Sequence, residues 1–237
     1  MSASTPLLAQ VRWVCFDVGE TLIDETRQWA GWADWLGVTH LTFFAALGAV
    51  IAERRDHREA FQLLRPGFDL AAARAARVAA GQPERFGVDD LYPDVRPVLT
   101  QLRAAGLRIA IAGNQPLSAE AALEAIGLPA DLVAASERWG VHKPSPAYFA
   151  RLVAETGAAP NEITYVGDRL DNDVLPARAA GLWAIFLRRG PWGHIHATWP
   201  EREQAHAQIN SLRELAGLLG LDAASSPGVV RGRGGSG

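Results

Sequence analysis

Four aspartates and one lysine are the residues whose types and spacing could do chemistry: Asp17, Asp168, Asp171, Asp173 and Lys143. Lys143 is the only lysine, and every other basic residue is arginine. A chain that meets its generic need for positive charge with Arg has kept one compact ammonium on a slim stem, which a forked guanidinium does not imitate. The acids follow apolar runs rich in β-formers. VRWVCF (11–16) ends at Asp17, and ITYV (163–166) ends at Gly167-Asp168. LRIAIA (107–112) ends at Gly113-Asn114, and Lys143 lies in the loop after DLVAA (131–135). Each run reads as a buried strand. Open α/β sheets bind ligands at the carboxyl ends of their strands. This spacing therefore gathers carboxylates and the single ammonium on one edge, where unpaired acids repel and raise one another's pKa values.

The elements that must position these residues are legible from residue 93 onward. Helical patterns cover 95–105 before Gly106 and 116–126 before Gly127. A third starts at Ser145-Pro146, an N-cap and first-turn pair, and a fourth stops at Gly181. Residues 182–187 form a fifth strand, and 212–219 a last helix. Alternating strands and helices imply parallel pairing and an α/β doubly wound sheet. Residues 25–91 break the alternation. Trp29, Trp32, Trp35 and Leu36, then Phe43, Leu47, Val50 and Ile51, have helical spacing, and an Ala/Arg-rich helix at 69–80 follows the break at Pro66-Gly67. The organisation expected is a core of residues 1–24 and 92–222, an inserted helical block of 25–91, and a flexible Gly/Ser/Pro-rich tail of 223–237.

With 237 residues, 49% hydrophobic and 21% charged, the chain suits one α/β domain with a small second one. A net charge of −3 provides no global field for nucleic acid or an anionic membrane. No apolar run reaches the roughly 18 residues that span a bilayer, and the first ten residues lack a signal-peptide pattern. The lone Cys15 excludes an internal disulfide and reads as a reducing, cytoplasmic setting. The expected partner is a small molecule, with no nucleic acid and no membrane; nothing here sets an oligomeric state. His194, His196 and His206 have no Cys or acidic companions at zinc spacing. The tryptophans read as core of the helical block, and the mixed charges at 53–59 as a solvated helix face.

Four segments in order resemble a known family. FDVGETL (16–22), AIAGNQP (110–116), HKPSPAYF (142–149) and VGDRLDND (166–173) resemble the four motifs of haloacid dehalogenase-like (HAD) hydrolases, and ARAAGLWAI (177–185) is typical of them. The resemblance spans about residues 11–190, with 25–91 in the place of the family's first, helical cap. It implies a Rossmann-like core and a Mg²⁺ ion held by Asp17, the Gly19 carbonyl and Asp168. It further implies Asp17 as nucleophile, Lys143 as its cationic partner, and Asp173 orienting Lys143 or a metal-bound water. Thr21, Gly113, Asn114 and Lys143 would bind substrate phosphate. One Mg²⁺ and Lys143 together balance three carboxylates. The activity implied is a phosphatase acting on a small phosphorylated metabolite through an aspartyl-phosphate. The alternatives are a haloacid dehalogenase, which needs no metal, and a catalytically weak binding protein on the same fold.

Two positions depart from the family pattern. Gly19 stands where its phosphatases carry an Asp that protonates the leaving group, help typically worth about 10²–10⁴-fold. Gly113 stands at the usual Ser/Thr of the second motif. The expectation is a slow enzyme, one preferring good leaving groups, or one borrowing its acid. Glu20 is the neighbouring candidate, and the substitution Gly19→Asp is expected to favour alkyl esters.

Overall fold

A computed structural model describes residues 10–221 of the chain; the expected tail at 223–237 lies outside them. The chain opens on β1 (Trp13–Phe16) and passes into four helices, α1 (Thr26–Leu36), α2 (His40–Ala52), α3 (Glu59–Leu64) and α4 (Leu70–Ala79). The remaining elements are α5 (Val95–Ala104), β2 (Arg108–Gly113), α6 (Leu117–Ile126), β3 (Leu132–Ala135), α7 (Ser136–Trp139), α8 (Pro146–Thr156), β4 (Ile163–Gly167), α9 (Leu175–Ala179), β5 (Trp183–Leu187), α10 (Gly190–His196), β6 (Ala207–Ile209) and α11 (Leu215–Leu218). This is an α/β fold: a parallel sheet core with an inserted helical cap.

The six strands run β3-β2-β1-β4-β5-β6, all parallel. The strand order reverses at the β1–β4 pair, the switch point where such sheets open a crevice. Alternation makes both faces apolar. Val14 and Phe16 of β1 join Ile109, Ile111, Val166 and Ile185 under α5, α6 and α11. Trp13 and Cys15 point the other way, with Ala110, Ala112, Tyr165 and Phe186, toward α8 and α9. A strand buried on both faces needs a near-continuous apolar run, as WVCF supplies. β6 was not legible because AQI is short and polar at its centre. It is a strand because its backbone pairs with Ile185 to Leu187 of β5.

The cap packs its own core around Trp32, Phe43, Phe61 and Phe68. Trp32 and Phe61 meet edge to face at 5.0 Å. Its helices are separated by local signals. Gly37 ends α1 at φ +72°, the Thr39 hydroxyl accepts the Thr42 N–H to start α2, and Asp69 caps α4. The charged run at 53–59 is not the expected helix face. α2 stops at Ala52, the chain turns through Arg54 at φ +61°, and α3 starts at Glu59. From that turn Arg54 reaches the core, pairing with both Glu201 oxygens at 2.7 and 3.1 Å and lying over the Trp199 ring. Trp192 of α10 completes the junction against Trp29 and His57. No single helix among the described residues is long and apolar enough to cross a membrane.

Asp94, at the start of α5, ties together the chain after β5 and after β6. Its Oδ2 accepts from the Arg189 guanidinium, the Ser211 hydroxyl and the Leu212 N–H. Burial alone pushes this carboxyl up, but these donors outweigh it and hold it below its ordinary range. Stability from a depressed carboxylate is complete above its unfolded pKa, about 3.9, and is lost as pH falls through the folded value. Asp94→Asn is therefore expected to cost about 1–3 kcal/mol at neutral pH and to flatten the acid limb of a plot of Tm against pH. Parallel acid limbs in mutant and wild type would remove this linkage.

Candidate active site

Asp17 follows β1 and Asp168 follows β4, so adjacent parallel strands deliver them side by side at the carboxyl edge. After Asp168 the chain makes a wide helical turn of π type, Leu170–Val174, a geometry frequent at functional sites. His196 steadies that turn by accepting the Leu170 N–H at Nδ1, 3.0 Å away, while stacked on Trp199. The turn brings Asp173 back, where its Oδ2 accepts the Arg169 N–H at 3.0 Å. One oxygen each of Asp17, Asp168 and Asp173 lies within 4.8 Å of the others. Asp171 does not join them; it pairs with the Arg169 guanidinium at 2.7 and 3.0 Å, facing solvent.

Lys143 enters from the loop before α8. Its Nζ lies 2.6 Å from Asp17 Oδ1 and 2.5 Å from Asp173 Oδ1. The rings of Tyr148 and Tyr165 flank it at 5.9 and 5.4 Å, and only 1% of its side chain is exposed. Burial alone would push this ammonium down, but Asp17 and Asp173 outweigh burial and hold it above its ordinary pKa, so it is charged. Asn114, just past β2, fixes the loop. Its Nδ2 donates to the Lys143 carbonyl at 2.9 Å, and its Oδ1 accepts the Lys143 N–H at 2.8 Å. The carboxamide thereby ties the chain after β2 to the loop that carries Lys143. Gly113 is a close approach: a Cβ there would stand 2.7 Å from Asp17 Oδ1.

The cluster is short of positive charge. Three buried carboxylates face one ammonium. Burial, then the neighbouring Asp173 and Asp17, push the Asp168 carboxyl well above the carboxylate range, and burial likewise raises Asp173. Both Asp168 oxygens are buried without a hydrogen-bond partner, and such orphaned groups call for an explanation. An all-oxygen set of this kind fits a hard divalent cation, which needs one or two carboxylates and keeps waters. Asp17, Asp168 and Asp173 each offer such an oxygen.

The remaining expected residues are placed as follows. Thr21 is fully buried, its hydroxyl has no hydrogen-bond partner, and its carbonyl accepts from Arg189 at 2.9 Å. Glu20 sits at φ +52° in the turn after Asp17. Its oxygens accept the Tyr92 hydroxyl at 2.5 Å and the Glu25 N–H at 3.0 Å. The Glu25 carboxyl fills the space beside Gly19. A Cβ on Gly19 would overlap Glu25 Oε1 and stand 2.8 Å from its Cδ. Burial, then Glu20, push the Glu25 carboxyl up to about 8. Sequence reasoning missed Glu25, since an acid ahead of a helix reads as an ordinary N-terminal residue.

The fold and this cluster define a parallel, doubly wound α/β core with an acidic, lysine-bearing site at its switch point. A family model for haloacid dehalogenase-like hydrolases matches residues 11–181, and the chain belongs to that family. A glyceraldehyde 3-phosphate phosphatase of Methanopyrus kandleri is 36% identical over 121 residues, 50% of this chain and 52% of that protein. The chain thus spans about half the length of the first curated relatives it matches. A phosphoglycolate phosphatase of Pseudomonas putida is 26% identical over 222 residues, covering 86% of this chain and 78% of its own. Among solved structures, a HAD-superfamily hydrolase of Geobacter sulfurreducens superimposes with a TM-score of 0.65 at 20% identity, over 89% of this chain and 97% of that one. That likeness concerns the fold alone.

Proposed function

We propose that this protein is a Mg²⁺-dependent phosphatase of small phosphorylated metabolites, working through an aspartyl-phosphate on Asp17. The observation that carries the reading is the buried Asp17/Asp168/Asp173 cluster, with one ammonium and with both Asp168 oxygens unpartnered. In this reading Asp17, Asp168 and the Gly19 carbonyl hold the ion. When bound, it supplies the charge that lets a carboxylate approach a phosphate dianion. Lys143 screens the same repulsion from the other side of Asp17 and neutralises charge on the transferring phosphoryl oxygens. Asp173 holds Lys143 in place, and backbone N–H groups at Gly113 and Asn114 bind phosphate oxygens. Asp17 attacks phosphorus in line with the leaving oxygen, and water then hydrolyses the acyl-phosphate. Residues 25–91 act as the cap that selects the substrate, on a core of residues 1–24 and 92–222. Relatives named as phosphatases of small phosphorylated compounds support this direction; a shared fold by itself does not choose a substrate.

A panel of phosphorylated metabolites and an aryl phosphate, assayed with Mg²⁺ and with EDTA, tests the reading. Turnover is expected with Mg²⁺ only. Asp168→Asn is expected to raise the Mg²⁺ concentration for half-activity by at least about 10–100-fold, the range seen for loss of even an outer hydrogen-bond partner at a metal site. Full activity in EDTA would overturn the metal-dependent reading.

A further inference from the structure

We propose that Glu25 is the catalytic acid–base of this enzyme, delivering a proton to the leaving-group oxygen from the place that a side chain on Gly19 would occupy. The inference rests on the phosphatase reading above and adds the group that handles the proton.

Three placements support it. First, Gly19 is two residues past Asp17 on the loop that leaves β1, and Glu25 Oε1 fills the position its Cβ would take, with Glu25 Cδ 2.8 Å from that point. A residue at the start of the helical insertion thus projects a carboxyl into the volume beside Gly19, on the loop that follows Asp17. Second, the carboxyl is oriented. Its Oε2 accepts the Trp29 indole N–H at 3.1 Å. Indole nitrogen can only donate, so a proton on this carboxyl belongs on Oε1, the oxygen that faces Gly19. Third, the backbone beneath it is braced. The Glu25 N–H donates to Glu20 Oε1 at 3.0 Å, while Glu20 Oε2 accepts the Tyr92 hydroxyl at 2.5 Å. Glu20, the nearer candidate in sequence, is therefore a positioning residue for Glu25 rather than the acid itself.

The proton steps balance. Asp17 forms its bond to phosphorus as the bond from phosphorus to the ester oxygen breaks. The Oε1 proton passes to that oxygen, and the alcohol departs neutral, leaving Glu25 as carboxylate. In the second half the Glu25 carboxylate takes a proton from water as the water oxygen bonds phosphorus. The bond from phosphorus to Asp17 breaks, releasing orthophosphate and restoring both side chains. An acid matters most for a poor leaving group. Alkyl esters must leave as alkoxides without it, whereas aryl esters leave unaided.

The experiment compares one alkyl and one aryl phosphate in wild type, Glu25→Gln, Glu25→Ala and the double variant Glu25→Ala/Gly19→Asp, with thermal melts on each. Glu25→Gln keeps an acceptor for Trp29 and is expected to lower kcat on the alkyl ester by about 10²-fold or more and on the aryl ester by only a few-fold. In the double variant the Glu25 carboxyl no longer obstructs a side chain at position 19. The carboxyl that Gly19→Asp introduces is expected to restore much of the alkyl turnover lost in Glu25→Ala, a coupling that two independent structural defects would not produce. A folded Glu25→Gln protein with the wild-type ratio of alkyl to aryl rates would overturn the assignment while leaving the phosphatase reading intact. Wild type that hydrolyses neither ester, with Mg²⁺ present, would overturn the phosphatase reading and this inference with it.

Discussion

Asp17→Asn is expected to lower turnover of every phosphate ester by on the order of 10⁴-fold or more, as removal of a covalent nucleophile does, while the protein stays folded. The amide keeps the size of the side chain and an oxygen facing Lys143. It also removes one of three carboxylates that share a single ammonium. In metal-free buffer the variant is therefore expected to melt at or above the wild-type temperature, because like charges in the cluster repel. Mg²⁺ stabilises whichever state binds it, so the rise in Tm on adding Mg²⁺ is expected to be large in wild type and small in Asp17→Asn. Activity, metal-free Tm and the Mg²⁺ shift together separate a nucleophile that also holds metal from a structural carboxylate. A folded variant with more than a tenth of wild-type turnover would remove Asp17 from the chemistry.

Lys143→Ala is expected to cost about 10²–10³-fold in kcat, the range for loss of a preorganised electrostatic stabiliser. It also leaves Asp17 and Asp173 buried without their counter-charge, a loss of about 3–5 kcal/mol in folding stability. Lys143→Arg is expected to be nearly as damaging, although the charge is kept. The ammonium occupies a slot 1% exposed, between two carboxylate oxygens at 2.6 and 2.5 Å and two tyrosine rings. A planar guanidinium needs more room and points its donors in a fork. Steady-state kinetics and thermal melts of the two variants side by side decide the matter. Lys143→Arg with most of the wild-type rate would mean that the position needs only a charge.

Much of this architecture is legible in the sequence. β1, β2, β4 and β5 read directly because buried parallel strands need apolar runs, and α8 starts at Pro146 behind its Ser145 cap as its residues imply. Asp17, Lys143, Asp168 and Asp173 were legible because each follows a strand end or opens a loop on the same edge. What stayed hidden depended on partners remote in sequence. β6 is a strand only beside β5. The pair of hydrogen bonds between the Asn114 carboxamide and the backbone of Lys143, 29 residues away, has no local signal. Arg54 looked like part of a helix face, but it sits in a turn at positive φ and, still half exposed, pairs with Glu201.

Gly19 marks the boundary between the two sources most clearly. The sequence by itself determined that the residue two past Asp17 carries no side chain, and so no acid of its own. It also determined the parallel α/β core, because hydrophobic periodicity is a local property that burial on a sheet converts directly into strands and helices. Only the tertiary structure decided what stands in the space beside Gly19. The loop after β1 turns back through Glu20, the Tyr92 hydroxyl and the Glu25 backbone hold that turn, and the Trp29 indole orients the Glu25 carboxyl. Those contacts join a turn, a helix start and a residue far along the chain. No local pattern encodes them, because a carboxylate's position is set by the groups that compete to hydrogen-bond it and by the volume left unfilled by a missing side chain.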